Sequence, residues 1–241
     1  MRTLVVIPTY NEKDNIGSLI QEIHRHVPEA DILIVDDNSP DGTWKLVEEI
    51  SRRDPRVHLI KRPGKMGLGT AYVEGFKWAL ERGYDVIVQM DADFSHSPED
   101  IPRLLEEIRR GADFVIGSRY KSGVNVVNWP LKRLMISYFA NVYARFMTGV
   151  PIRDLTGGFK AWRREVLESV DLDNIRSNGY SFQIEMNFKA YRRGFRPSEI
   201  PIIFYERRSG KSKFSRGIIL EAALMVMRLA LRRLLPERKK R

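Results

Sequence analysis

Residues 85–97 read DVIVQMDADFSHS. Val86, Ile87, Val88 and Met90 make the front of this stretch apolar with little alternation, the pattern of a strand buried on both faces. Asp91 and Asp93 then follow one residue apart, and two carboxylates so placed repel unless a cation lies between or beside them. Similar apolar runs stand at 3–8 (TLVVIP), 31–36 (DILIVD), 57–61 (VHLIK) and 113–118 (DFVIGS). Between them, 13–27, 42–53, 68–82 and 98–110 carry apolar residues at helical spacing, as in Ile16, Leu19, Ile20 and Ile23, or Ile101, Leu104, Leu105 and Ile108. Ser97-Pro98-Glu99-Asp100 offers a capping hydroxyl, a first-turn proline and acids at the positive end of a helix. Strand and helix in alternation predict an α/β fold, a mostly parallel Rossmann-like sheet flanked by helices.

After Tyr120 the pattern changes. Residues 121–129 (KSGVNVVNW) are loop-like, and 130–148 (PLKRLMISYFANVYARFMT) form one long helix. DLTGGFKAW (154–162) is a turn entering a short strand; 179–193 are helical, 198–205 extended, and 206–216 (ERRSGKSKFSR) a basic loop. The chain is read as one domain over 1–216, with 217–241 an amphipathic, basic C-terminal helix and tail facing a membrane or a partner. Both 130–148 and 217–235 combine an apolar face with basic flanks, which suits either ordinary core packing or an anionic interface.

Bulk properties narrow the chemistry. The 241 residues suffice for one substantial core, and the absence of cysteine excludes disulfides, thiolate metal sites and cysteine nucleophiles. A formal charge of +10 points to a polyanionic partner: nucleic acid, an anionic membrane face or phosphorylated substrates. The N-terminal LVVIP is too short for a signal segment, and no uninterrupted run of about 20 apolar residues predicts a spanning helix.

In a doubly wound sheet, ligands bind outside the carboxyl ends of the strands. There this sequence sets PTYNE (8–12), DDNSPDG (36–42), DADFSH (91–96) and GSRY (117–120). No GxGxxG and no GxxxxGK[ST] is present, so dinucleotide and P-loop readings lack their glycines. GLGTAYVEG (67–75) reads as a helix start near the ligand. If the DAD backbone is extended, Asp91 and Asp93 share a face and suit a hard divalent ion, Mg²⁺ or Mn²⁺, that leaves room for phosphate oxygens. The plainer reading is a turn with two solvated aspartates.

VVIPTYNE, VDDNSPDGT, the DAD run, IGSRY, DLTGGF and RRSGKSK together resemble the polyprenyl (dolichyl) phosphate mannose synthases, inverting glycosyltransferases of the GT-A fold, from residue 4 to about 216. The resemblance implies metal-dependent transfer of mannose from GDP-mannose to the phosphate of a polyprenyl phosphate. It also implies a peripheral place on the cytoplasmic face of a membrane, where a small membrane subunit would dock on the same surface. On matching positions, Pro8, Tyr10, Glu12, Val35 and Asp37 would hold the nucleotide, and Asp91, Ala92 and Asp93 would border the diphosphate. Asp91 and Asp93 would bind the metal, Asp93 chiefly. Arg119, Arg207 and Lys213 would contact phosphates, and Arg119, Arg133 and Ser137 would receive the lipid phosphate. Asp93 and Arg119 would carry the catalysis. In some relatives a glutamine two positions past the second aspartate also binds metal; here that position is Ser95.

A phosphate acceptor needs no dedicated base, since its second pKa of about 6 leaves it ionised at neutral pH. Asp154 and Glu185, the available acids, rank ahead as structural or sugar-hydroxyl partners. Three alternatives compete. A UDP-glucose-dependent polyprenyl-phosphate glucosyltransferase uses much the same scaffold. A sugar nucleotidyltransferase would want a glycine-rich basic signature where PTYNE stands. A nucleic-acid binder lacks RNP, KH or zinc patterns here, and strand-end acids would repel its phosphates.

Overall fold

The computed structural model describes residues 1–175, 177, 179–206 and 216–233. Its elements run β1 (Thr3–Thr9), α1 (Lys13–His26), β2 (Asp31–Asp36), α2 (Thr43–Ser51), β3 (Val57–Lys61), α3 (Leu68–Glu81), β4 (Val86–Gln89), α4 (Ile101–Arg109), β5 (Phe114–Ser118), β6 (Val126–Val127), α5 (Leu131–Thr148), β7 (Lys160–Arg163), α6 (Arg164–Ser169), α7 (Gly179–Arg192), β8 (Pro197–Pro201), β9 (Phe204–Tyr205) and α8 (Arg216–Arg233). Short 3-10 turns precede α4 at Pro98–Asp100 and α7 at Leu172–Asn174.

Seven strands form one sheet in the order β3-β2-β1-β4-β7-β5-β8. All neighbours are parallel except β7, which lies antiparallel between β4 and β5 with Lys160 opposite both Gln89 and Ile116. The expected α/β architecture is therefore present, in a mixed form.

The near-continuous apolar runs have a direct cause. Along β1, Leu4 and Val6 enter one core while Val5 and Ile7 enter the other, and β2 divides Leu33 and Val35 from Ile32 and Ile34 in the same way. Period-two alternation is invisible in sequence when both faces are covered. One face packs on α1, α2 and α4 through residues such as Ile16, Val47 and Leu104; the other packs on α3, α5, α6, α7 and α8 through Phe76, Ala144, Val166, Phe182 and Val226. Gly75 lets α3 lie close on the sheet, because a Cβ there would stand 2.5 Å from Val6 Cγ1.

Several local expectations change. β4 ends at Gln89, so Asp91 and Asp93 lie beyond the ladder in a segment that bends through 92–96, and no extended backbone aligns them. Ser97 sits at the N-cap before Pro98 but makes no side-chain capping bond. The loop-like 121–129 contains β6, and 198–205 breaks into β8, which joins the large sheet, and β9, which pairs with β6. Helix α6 was not legible: REVLES is under two turns, too short for a periodic pattern.

Helix α5 is inverted relative to an ordinary surface helix. Its buried stripe is small or polar (Ser137, Asn141, Ala144, Thr148), while Leu131, Phe139 and Phe146 are 70%, 60% and 80% exposed.

Candidate active site

The carboxyl ends of β1, β2, β4 and β5 open on one edge. Because β7 runs the other way, the DLTGGF segment that precedes it arrives at that same edge.

The first two loops are stitched together by side chains. Asp36 is buried and accepts hydrogen bonds from the Thr9 hydroxyl (2.7 Å), the Ser39 amide (2.8 Å) and the Ser39 hydroxyl (2.6 Å), so it frames the turn. The Asn11 amide donates to Ser39 Oγ and the Glu12 amide to Thr43 Oγ1, each at 3.0 Å, while Asn11 and Asn38 take left-handed φ of 61° and 54°. Asp37 is then placed by its own amide on Thr9 O (3.0 Å) and by the Met66 amide on its Oδ2 (3.2 Å). Tyr10 is half-buried, with Lys65 Nζ 4.2 Å from its ring centre. Pro8 pairs with Val35 across the ladder; Val35 is wholly enclosed in the core and supports this corner from inside.

Arg62 was missed in the sequence. It is buried at the end of β3, with Nε 3.0 Å from Asp37 Oδ1 and Nη2 donating to Thr70 Oγ1 at 2.8 Å. The Asp37 approach is an ion pair by distance, without hydrogen-bond alignment, and Arg62 Nη1 is buried with no partner among the described residues. KRPGK (61–65) also stands at a strand end but carries no acid, so the acidic pattern that marks the other strand ends does not reach it.

At the DAD segment, the Tyr72 hydroxyl lies 3.0 Å from Met90 O and 3.2 Å from Asp91 Oδ1. Burial, then the charge of Asp91, pushes the Tyr72 phenol well up, so it stays a donor. Asp93 is buried, and its Oδ1 accepts from the Ser95 amide (3.1 Å) and hydroxyl (2.6 Å). Phe94 turns the chain with φ 58°. Ser95 thus orients Asp93 from behind. Ala92 packs into the core between the two acids.

The two glycines of DLTGGF pass between carboxylates. A Cβ on Gly158 would meet Asp91 Oδ2 at 3.4 Å, and one on Gly157 would meet Asp154 Cγ at 3.3 Å. Asp91 Oδ2 therefore faces a surface that carries no side chain. Among the described residues no cluster of three or more His, Cys, Asp or Glu converges. Two hard oxygen donors, one of them beside a strip of backbone that carries no side chain, fit a Mg²⁺ or Mn²⁺ ion that completes its shell with phosphate oxygens and water, rather than an all-protein cage.

Arg119 and Asp154 form the other half of the site. Nε donates to Oδ2 at 2.7 Å, Nη2 to Oδ1 at 2.6 Å and the Arg119 amide to Oδ2 at 2.9 Å; Nη2 also reaches Thr156 Oγ1 at 2.8 Å. Burial alone would raise the Asp154 carboxyl, but the charge and hydrogen bonds of Arg119 outweigh it and hold it below the usual range. Burial likewise pulls against the guanidinium, and Asp154 keeps it charged. Among the described residues Arg119 Nη1 has no hydrogen-bond partner.

Arg119 lines a cavity of about 760 Å³ whose walls are otherwise largely apolar, among them Trp129, Met135, Phe139, Ile184 and Val226. Ser137 lines it too, accepting from the Tyr120 hydroxyl at 2.8 Å. Arg133 stands nearby, its guanidinium 4.0 Å from the Trp129 ring centre and Nη1 3.1 Å from Glu206 Oε1. Glu185 is spent on Ser177 and on Lys189 at 2.8 Å and stays structural. Arg207 and Lys213 lie outside the described residues.

A model described as glycosyl transferase family 2 matches residues 4–171. The chain is similar to the polyprenol monophosphomannose synthase of Mycolicibacterium smegmatis, 50% identical over 96% of this chain and 88% of that protein. It is also 50% identical to the undecaprenyl-phosphate mannosyltransferase of Micrococcus luteus, over 96% of this chain and 95% of that protein. Among solved structures, glucosyl-3-phosphoglycerate synthase from Mycobacterium tuberculosis, in complex with Mn²⁺, uridine diphosphate and glucosyl-3-phosphoglycerate, matches with a TM-score of 0.65 at 19% identity, over 98% of this chain and 81% of that one. That likeness carries the fold, a GT-A-type sheet. Motifs, fold and close relatives agree: the chain belongs to glycosyl transferase family 2, among its polyprenyl-phosphate mannosyltransferases.

Proposed function

We propose that the strand-end cleft binds GDP-mannose with Mg²⁺ or Mn²⁺ and passes the mannosyl group, with inversion, to the phosphate of a polyprenyl phosphate. One juxtaposition supports this reading: the carboxylates of Asp91 and Asp93 and a largely apolar cavity of about 760 Å³ lie along one sheet edge, with Arg119 lining the cavity. A nucleotide sugar suits the first and an isoprenoid chain the second.

An oxygen of the acceptor phosphate attacks the anomeric carbon opposite the diphosphate. The glycosidic C–O bond breaks through an oxocarbenium-like state, and GDP leaves with the bonding pair. Asp91 and Asp93 would hold the divalent ion, which supplies positive charge to the diphosphate when bound. Asp37, braced by Arg62, faces the nucleoside end. Arg119 is held charged by Asp154 and keeps Nη1 for a phosphate oxygen, with Arg133 and Ser137 beside it. Asp154 is no base: both its oxygens are engaged and its proton affinity is low. The acceptor arrives already ionised and needs none.

Thermal-shift measurements with GDP, UDP, GDP-mannose and UDP-glucose, each with and without Mn²⁺, test the donor. A ligand at 100 times its Kd adds about 2.7 kcal/mol to apparent stability. GDP-mannose with Mn²⁺ is expected to give a clear upward shift that UDP-glucose does not match. The reverse order would move the chain to the glucosyl branch.

The outward face of α5 supports a membrane-surface role. Leu131, Met135, Tyr138, Phe139, Val142 and Phe146 are exposed there, and Leu224, Met227 and Leu231 are exposed on α8. Among the described residues no helix is long and apolar enough to cross a membrane. Apolar surface with Lys132 and Arg145 on the same helix suits an anionic interface. Replacing Phe139 and Phe146 together by Asp is expected to weaken co-sedimentation with phosphatidylglycerol vesicles at least tenfold, since each buried Phe contributes about 1.5–3 kcal/mol. Unchanged sedimentation would remove this role and leave a protein subunit as the occupant of that face.

A further inference from the structure

Behind the DAD segment lies a buried polar relay that the mechanism above does not use. The Trp162 indole Nε1 on β7 donates to Gln89 Oε1 on β4 at 3.2 Å. Gln89 Nε2 in turn donates to Gln183 Oε1 on α7 at 2.8 Å. Lys160 Nζ donates to that same Oε1 at 2.7 Å and to the Gln183 carbonyl at 3.3 Å. Gln89, Trp162 and Lys160 are fully buried and Gln183 nearly so.

The chemistry fixes the direction of every group. An indole N–H only donates, so Gln89 must turn its oxygen to Trp162 and its nitrogen to Gln183. Gln183 must therefore turn its oxygen inward, where two donors already meet it. Lys160 adds to this in either protonation state, although burial pulls its ammonium well down against the charge of Asp154. What remains is Gln183 Nε2, aimed away from the relay. A Cβ on Gly158 would lie 3.7 Å from this nitrogen and 3.4 Å from Asp91 Oδ2, so both flank the same side-chain-free strip of backbone at the cleft. Among the described residues no hydrogen-bond partner faces Nε2.

We propose that Gln183 is a specificity-determining residue whose outward amide donates to a hydroxyl oxygen of the hexose carried by the nucleotide sugar. This rests on the reading of the cleft as a sugar-nucleotide site. A hexose attached to a diphosphate beside Asp91 presents several acceptor oxygens, and a buried donor whose orientation is fixed discriminates among them more sharply than an apolar wall does. Trp162, through Gln89, acts as a positioning residue.

The test compares affinities for GDP and GDP-mannose, both with Mn²⁺, by calorimetry. Gln183→Glu is close in size and still accepts inward from Gln89 and Lys160, but it exchanges the outward donor for an anionic oxygen that can only accept. Its expected result is GDP affinity within about threefold of the parent and GDP-mannose affinity at least about tenfold weaker. Trp162→Phe leaves Gln183 in place and frees the Gln89 amide to turn, so that Lys160 alone fixes Gln183 Oε1; a smaller but selective loss for GDP-mannose is expected. An equal loss for both ligands would assign Gln183 to bracing Asp91 and overturn the proposal, as would an unchanged ratio in both variants. If the parent protein binds UDP-glucose instead, the mannosyl reading fails separately, and the same ratio measured with UDP and UDP-glucose decides the role of Gln183.

Discussion

Asp93→Ala is expected to lower mannosyl transfer to polyprenyl phosphate by at least about 10²–10³, the usual cost of removing one preorganised group that stabilises developing charge. Asp93 lies past the end of β4, and its Oδ1 is held by the Ser95 amide and hydroxyl. Its loss removes one of the two carboxylates proposed to hold a divalent ion. Asp93→Asn separates charge from geometry: the amide oxygen still accepts from Ser95, yet transfer should fall nearly as far, because charge neutralisation is what the leaving diphosphate requires. Chelation should reproduce the defect in the parent protein, and added Mn²⁺ should rescue the parent but not the variant. Near-normal turnover in Asp93→Ala, measured as radiolabelled mannose in the lipid fraction, would remove the metal-assisted mechanism.

The second large effect falls on stability. Asp154→Ala leaves the Arg119 guanidinium buried without its counter-charge, and breaking a buried pair from one side costs about 3–5 kcal/mol. For a chain of this size the melting temperature should drop by roughly 8–15 °C. The pH dependence has a definite sign. The Asp154 carboxyl is held below its ordinary value in the folded state. Its contribution is therefore fully present above the unfolded value of about 3.9 and lost as pH falls through the folded value. The stability gap between parent and variant should hold above about pH 4 and close progressively as the pH falls below it. A constant difference across that range would mean that Asp154 acts through packing and not through charge.

How much of this was legible in the sequence depends on whether the signal was local. The buried strands announced themselves because Val5 and Val6 are both apolar for the same reason, a core on each side. The acids at the strand ends were equally plain. Arg62 was not, because its strand end lacks an acid and its pairing with Asp37 is set by the ladder between β2 and β3. Arg119 and Asp154 both stood out as residues, but their mutual grip spans 35 positions and depends on the reversed course of β7. On α5 the apolar face was readable, whereas its outward direction was not. Only the packing of Ser137, Asn141 and Ala144 inward decides that.

The inserted strand also orders events during synthesis. β5 is complete at Ser118, yet both its ladder partners, β7 and β8, are encoded downstream. While the ribosome adds the next forty or so residues, β5 has no neighbour on either side and β4 has one edge open, a template for pairing with other chains. Closure waits for Lys160–Arg163 to slide between strands already made, a non-local step of the slow kind. The reversal that delivers DLTGGF to the cleft therefore leaves the nascent N-terminal half unable to seal its own sheet, and dependent on the second half or on a chaperone to keep it from its neighbours.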